Sequence, residues 1–189
     1  MEKQETTVRG GEDGEKCNAT SEASAEKSRL VCVLHGPNLN LLEERDPAVY
    51  GMDTLSDIED LMRERAASLG LAVEFFQSNR EGVLVEAVQS ARFEAHGIVI
   101  NPGALTHYSR ALQDALSILT IPVVEVHLSN VHAREEWRRL SVISPVSTGT
   151  ITGFGVMGYV FALDALAGLF AKERRGYEHS GMPTVGDSA

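Results

Sequence analysis

Residues 30–40 read LVCVLHGPNLN, a short apolar run (Leu30–Leu34) that stops at His35-Gly36-Pro37. A run of this length before Gly and Pro predicts a buried strand followed by a turn. The same arrangement returns in 97–107 (GIVINPGALTH) and in 121–130 (IPVVEVHLSN). In each case polar residues begin where the predicted strand ends. These three junctions decide the fold and suggest where a functional site lies.

The remaining elements complete an alternating pattern. A further strand is predicted at 73–77 and a weaker one at 150–153, and helical periodicity predicts helices at 54–69, 82–95, 107–119 and 156–171. Thr54 and Asp57 have the spacing of a capping box. Five strands alternating with helices predict an α/β fold with a parallel sheet covered on both faces. The expected order is flavodoxin-like, 2-1-3-4-5, in which ligands bind at the carboxyl ends of the strands, near strands 1 and 3.

The chain divides by composition into three predicted parts. Residues 1–28 are rich in Glu, Ser, Thr and Gly and predict a disordered acidic N-terminal extension. Residues 29–174 form the predicted folded domain, and 175–189 a flexible C-terminal tail. No apolar run reaches the roughly 20 residues that span a bilayer, and 1–28 resemble no signal or transit peptide. These features favour a cytoplasmic protein without a membrane partner.

Charge and lysine content exclude several kinds of chemistry. The chain has 27 acidic and 17 basic side chains, and its only lysines are Lys3, Lys16, Lys27 and Lys172. A Schiff-base or P-loop lysine therefore cannot lie between 28 and 171. The net charge of -10 argues against a nucleic-acid partner. An anion bound in this region must therefore be bound by arginine, backbone amides or neutral donors.

The long loop after the first strand contains Arg45 and Tyr50. An arginine near a phenol favours tyrosinate and makes a base from a weak acid. Alternatively, the loop is a surface lid in which Tyr50 only packs.

Two histidines lie at neighbouring junctions. His127 ends a predicted strand, with Glu125 placed to orient it, and is a candidate general acid. His107 begins a predicted helix, either as a donor to a substrate oxygen or only as part of the helix start. Together with His132 they lack the cysteines and the spacing of a zinc site, so we expect no metal.

Arg134 and Arg138 are four residues apart and predict a shared helical face. With Glu135 and Glu136 beside them, they indicate either a salt-bridged surface helix or a fork that binds a substrate carboxylate. Taken together, the junction residues fit proton transfer next to a carbonyl on a small carboxylate substrate.

Five motifs in order resemble the type II 3-dehydroquinate dehydratase family: GPNLN (36–40), RDPAVYG (45–51), NPGALTH (101–107), EVHLSN (125–130) and VHAREEWRR (131–139). The resemblance covers roughly residues 30–167. It implies a hydro-lyase that converts 3-dehydroquinate to 3-dehydroshikimate through an enolate, without a cofactor, in the shikimate pathway or in quinate catabolism. The unrelated type I enzymes use a Schiff-base lysine, which this chain lacks there.

The resemblance also implies roles for individual residues. Tyr50 would accept the C2 proton, and Arg45 would keep Tyr50 in its tyrosinate form. His127 would protonate the departing hydroxyl. Asn38 would position the water or donor that stabilises the enolate oxygen. The remaining expected substrate-binding residues are Asn101, His107, Asp114, Leu128, Ser129, Arg134 and Arg138. Asp114 matches a residue that reaches a neighbouring subunit's site, which implies trimers and a homododecamer.

Two residues depart from the family pattern. Glu43 stands where the family usually has Gly, and Asp46 where it usually has Glu. Glu43 would strain the backbone if the position required positive φ. Two rival functions use the same fold: a non-catalytic regulator that binds quinate or a sugar acid, and a flavodoxin-like cofactor binder. The first loop lacks the glycine spacing of a phosphate cradle, which disfavours the latter.

Overall fold

The computed structural model describes residues 28–44 and 52–179, and the side chains of the last helix as far as Glu173. Arg45, Asp46 and Tyr50 lie outside the described residues, as do 1–27 of the predicted extension and 180–189 of the predicted tail.

A five-stranded parallel sheet forms the centre of the described chain. The strands are β1 (Arg29–His35), β2 (Leu71–Gln77), β3 (Gly97–Asn101), β4 (Val123–His127) and β5 (Gly149–Thr152), in the order β2-β1-β3-β4-β5. β3 and β4 are buried along their whole length, because helices cover both faces of the sheet. The predicted fold class and strand order are confirmed.

Four α-helices cover the sheet: α1 (Leu55–Ser68), α2 (Glu81–Glu94), α3 (Arg110–Ser117) and α4 (Met157–His179). α1 and α4 pack on one face, where Ile58 and Leu163 are fully buried. α2 and α3 pack on the other, around Leu84 and Leu112. The predicted capping box forms, since Thr54 Oγ1 accepts the Asp57 N–H at 3.1 Å and Asp57 Oδ2 accepts the Thr54 N–H at 2.8 Å.

Short 3-10 helices replace several segments predicted as loop or α-helix. They span Leu39–Glu44, Gly103–His107, Val131–Ala133, Glu136–Arg138 and Ser144–Val146. The helix predicted to begin at His107 instead begins at Arg110, because the Ser109 hydroxyl accepts the Leu112 N–H and caps it there.

The segment that contains Glu43 shows no backbone strain. Leu39 and Leu42 are buried and anchor the 3-10 helix that holds Glu43. Asn38 is the one described non-glycine residue with positive φ, so the strain considered for Glu43 does not arise.

The last helix is longer than predicted, since α4 continues to His179, past the predicted end at Ala171. Among residues 28–44 and 52–179, none of the helices combines the length and the apolar character of a membrane span. The three-part division of the chain stays a prediction.

Two glycines bring the ends of β1 and β3 into backbone contact. The Gly36 N–H donates to Asn101 O at 2.7 Å, and a Cβ on Gly36 would lie 2.3 Å from Pro102 O. Gly103 has φ +59, where side chains are disfavoured. The turns after β1 and β3 therefore stack directly, at the switch point where a ligand is expected.

Candidate active site

A cavity of about 160 Å³ opens at the carboxyl ends of β1, β3 and β4. Eight of the residues expected in the site line it: Asn38, Asn101, His107, His127, Leu128, Ser129, Arg134 and Arg138. A wider groove of about 430 Å³ runs between β2 and α2, but no histidine or arginine lines it. The strand-end cavity is therefore the candidate site.

Asn38 sits at the rim of this cavity in a left-handed conformation. Its φ is 67°, which asparagine tolerates better than most residues. The backbone N–H of Asn38 donates to Asn79 Oδ1 at 2.8 Å, which holds the turn in place. The side chain of Asn38 is exposed at the cavity, where an amide can bind a water or a substrate oxygen.

His127 and Glu125 form a buried pair at the end of β4. His127 Nε2 lies 2.8 Å from Glu125 Oε1, and Glu125 is fully buried. The partnership predicted from their spacing is confirmed. Because an ionised carboxylate only accepts, Nε2 carries the hydrogen, which leaves Nδ1 as the other ring nitrogen.

Hydroxyl groups complete the surroundings of Glu125. Thr106 donates to Oε1, and Ser141 donates to the carboxylate with Oγ 3.0 Å from Oε1 and 3.1 Å from Oε2. Burial alone would raise the pKa of Glu125, but the hydrogen bond and charge of His127, with these two hydroxyls, hold that pKa below its ordinary value. Glu125 is thus kept as a carboxylate beneath the ring.

His107 is held from outside the cavity. Its Nδ1 lies 2.8 Å from Leu140 O, and a carbonyl only accepts, so Nδ1 carries the hydrogen. Partial burial lowers the pKa of His107, and the charges of His127 and Arg138 lower it further against the opposing effects of Leu140 and Glu125. A neutral ring in this state accepts at Nε2. A protonated ring would donate there, as the sequence suggested, so Nε2 is in either state the atom that can bind a substrate oxygen.

The two arginines do not share the single helical face predicted, because Arg134 is extended and follows one short 3-10 helix, whereas Arg138 ends the next. Arg138 Nε donates to Glu135 Oε2 at 2.9 Å, and Arg134 Nε lies 3.5 Å from the same oxygen. Arg134 Nη1 also donates to Ser129 Oγ at 3.2 Å. The ion pairs of the surface-helix alternative are present, and both arginines still line the cavity. Two arginines and no acidic side chain thus line the cavity, in a chain of net charge -10.

Asp114 lies apart from the other predicted residues. It is exposed on α3, in a separate groove with Arg110, Gln113 and Ser117. The described residues also contain no group of three or more His, Cys, Asp or Glu side chains that could hold a metal ion.

Four further side chains support the cavity without a signal in the sequence strong enough to single them out. Thr106 and Ser141 bind Glu125, as described above. Trp137 contacts His107 edge-on at 5.0 Å, and the Arg138 guanidinium lies 4.0 Å from the centre of its ring. Tyr159, in an apolar helix, accepts a hydrogen bond from Asn101. Thr106 and Trp137 lie inside the quoted motifs, and this position is the only signal of their role in the sequence.

Comparison with known proteins gives a consistent result. Residues 29–167 match the profile of the family described as Dehydroquinase class II. A 3-dehydroquinate dehydratase of Dinoroseobacter shibae is 54% identical over 136 residues, covering 72% of this chain and 91% of that protein. The 3-dehydroquinate dehydratase 1 of Agrobacterium fabrum is 53% identical over 144 residues, covering 76% and 99%.

Solved structures agree with the sequence comparison. The type II dehydroquinase of Propionibacterium acnes is similar with a TM-score of 0.73 and 43% identity, covering 75% of this chain and 97% of that one. The type II dehydroquinase of Butyrivibrio crossotus has a TM-score of 0.72 and 44% identity, covering 74% and 97%.

Proposed function

The chain belongs to the dehydroquinase class II family, and we propose that its strand-end cavity is the place where 3-dehydroquinate loses water. The protein is a hydro-lyase that converts 3-dehydroquinate to 3-dehydroshikimate, a step of the shikimate pathway. The observation that carries the proposal is that eight expected residues, from three separated stretches of the sequence, line one cavity.

The reaction breaks a C–H bond and a C–O bond. A base takes the C2 proton, and the electron pair moves toward the C3 carbonyl to give an enolate. The enolate electrons then return to form the C1=C2 double bond as the C1–O bond breaks, and the hydroxyl, protonated by the acid, leaves as water. We assign the base to Tyr50, held as tyrosinate by Arg45. Both lie outside the described residues, and their assignment comes from the RDPAVYG motif.

Stabilisation of the enolate oxygen is the role proposed for Asn38. The backbone of Asn38 is fixed by its hydrogen bond to Asn79, and its side chain is exposed at the cavity. These features support the role, since a donor on a fixed backbone stabilises developing negative charge with less reorganisation. A water held by the amide or the amide itself can supply the hydrogen bond.

Proton donation to the departing hydroxyl is the role proposed for His127. With the Nε2 hydrogen held by Glu125, a neutral ring has no proton on Nδ1, so the acid must be the imidazolium. A buried carboxylate 2.8 Å away balances that charge. After donation from Nδ1, the neutral ring keeps its bond to Glu125.

Substrate binding is the role proposed for the remaining residues of the cavity. Arg138 and Arg134 bind the substrate carboxylate, and His107 forms a hydrogen bond with a substrate hydroxyl through Nε2. Asn101 and the backbone and side-chain groups of Leu128 and Ser129 complete the binding set.

Assembly and location are further proposals. We expect trimers and a homododecamer, in which Asp114 reaches a neighbouring site. The exposure of Phe154 (62%), Leu140 (63%) and Phe93 (77%) supports association. Light scattering should give twelve times the 20.5 kDa chain mass, and a monomer would contradict this proposal. We further propose a cytoplasmic location, which a fluorescent fusion would test.

The decisive experiment follows the ultraviolet absorbance of the conjugated enoate after 3-dehydroquinate is added. Wild-type protein should produce it, and Tyr50→Phe should lower kcat by about 10³-fold or more while substrate still binds. Binding without any turnover by the folded, assembled wild-type protein would favour the regulator. Near-normal kcat in Tyr50→Phe would contradict the assignment of the base.

A further inference from the structure

Three buried polar side chains form a line beneath the candidate site. His35 ends β1, Asn101 ends β3, and Tyr159 lies in the first turn of α4. His35 and Asn101 are register partners in the sheet. Tyr159 and His35 are fully buried, and Asn101 is 3% exposed. Of the three, Asn101 lines the cavity.

The directions of their hydrogen bonds follow from donor and acceptor chemistry. Asn101 Oδ1 lies 3.2 Å from the Gly103 N–H, which only donates, so this atom is the carbonyl oxygen. Asn101 Nδ2 therefore donates to the Tyr159 hydroxyl at 3.0 Å. The hydroxyl keeps one proton, and His35 Nδ1 lies 3.1 Å away to accept it.

His35 must be neutral for this arrangement to hold. If Nδ1 accepts from Tyr159, the single ring hydrogen lies on Nε2, which is buried without a partner among the described residues. Burial lowers the pKa of His35 from 6.5 to about 4, so the neutral form prevails at physiological pH. Burial also raises the pKa of Tyr159 above its ordinary value, although the Asn101 bond opposes this, so the phenol keeps its proton.

We propose that Tyr159 and His35 are positioning residues that fix the carboxamide of Asn101, so that one N–H of this amide faces the cavity as a donor to substrate oxygen. His35 accepts from Tyr159, Tyr159 accepts from Asn101, and Gly103 donates to the amide oxygen. An amide held at both ends cannot exchange its oxygen and nitrogen. This inference rests on the proposed function, since it assigns a substrate oxygen to the remaining N–H.

The geometry distinguishes this role from simple core packing. A phenylalanine would fill the same space beside α1 and the sheet, because only the hydroxyl takes part in the line. When the protein does not hold the amide in place beforehand, ordering that amide reduces the free energy of substrate binding. Loss of the Tyr159 hydroxyl should therefore appear in KM and not in kcat.

The test is a double-mutant cycle on 3-dehydroquinate turnover. Tyr159→Phe and Asn101→Ala should each raise KM about tenfold, with kcat within about threefold of wild type. The double variant should also show about a tenfold increase, because Tyr159 acts only through Asn101. Tyr108→Phe, which removes a hydroxyl from a 61% exposed ring, is the matched control and should leave KM unchanged.

Two results would overturn the proposal: a wild-type KM in Tyr159→Phe, or a roughly hundredfold increase in the double variant. If Tyr159→Phe does not fold, His35→Leu replaces it in the same cycle with the same expectation. His35→Asn then places a carbonyl oxygen near the position of Nδ1 and should restore most of the lost affinity. Absence of turnover in wild type would instead refute the proposed function, which keeps the two failures distinct.

Discussion

His35 and His127 both end a buried parallel strand, yet their surroundings differ. His127 lies 2.8 Å from a buried carboxylate, whereas His35 lies 3.1 Å from a buried phenol. A carboxylate can balance an imidazolium, and a phenol cannot. The partner therefore decides whether a strand-end histidine can carry a proton or serves as a fixed neutral acceptor.

Of the two histidines, the one beside the carboxylate should cause the larger loss of activity when it is replaced. We expect His127→Ala to lower kcat by about 10³-fold with little change in KM, because general acid catalysis typically contributes this much. His96→Ala is the control, since His96 is exposed and precedes β3 at the opposite edge of the sheet. Steady-state kinetics on 3-dehydroquinate measures both. A kcat within tenfold of wild type would show that His127 is not the acid.

The histidine beside the phenol should instead be visible in the pH dependence of stability. The folded chain resists protonation of His35 down to about pH 4, whereas an unfolded histidine takes up its proton near pH 6.5. Stability from this residue is therefore lost as the pH falls through that window, by about 3 kcal/mol between pH 7 and pH 4.

His35→Asn is neutral at every pH and should lack this loss. Urea unfolding of both proteins at several pH values measures the difference, since Glu125 and His107 titrate in both. Parallel stability curves would mean that His35 is not kept neutral by folding.

The smallest expected effect concerns Trp137, which touches two cavity residues. Trp137→Leu should raise KM about fivefold, because it removes the contact with His107 and the cation–π contact with Arg138. Trp137→Phe keeps a ring and should lose less. Trp137 is also the only tryptophan in the chain, so wild-type fluorescence should change on ligand binding. Equal KM values in wild type and Trp137→Leu would show that Trp137 does not position the substrate-binding residues.

The sequence was sufficient to predict the sheet and much of the cavity. Continuous apolar runs such as 97–101 occur where both faces of a strand are covered, and ligand-binding residues follow such strands. The pairing of Glu125 with His127 was predictable because the two side chains of one strand, two residues apart, point to the same face.

The role of His35 was not predictable in the same way. Its partner Tyr159 lies 124 residues further along the chain, in a helix whose apolar pattern indicates only core packing. Local pattern also failed for Arg134 and Arg138, which both contact Glu135, although Arg134 is extended and only Arg138 lies in a short helix. Partners that are distant in sequence, and turns that depend on single hydrogen bonds, require the folded structure.

The most direct test replaces the hydrogen-bond partner of each histidine and leaves the histidines themselves unchanged. Kinetics on 3-dehydroquinate should be measured for Glu125→Gln and Tyr159→Phe, with folding checked by circular dichroism. Glu125→Gln should lower kcat by about 10²-fold with KM nearly unchanged, because the uncharged amide cannot balance the imidazolium of His127. Tyr159→Phe should raise KM about tenfold with kcat nearly unchanged. If Glu125→Gln raised KM alone, or if Tyr159→Phe lowered kcat as strongly as Glu125→Gln, the proposed division between a proton donor and a positioning histidine would be wrong.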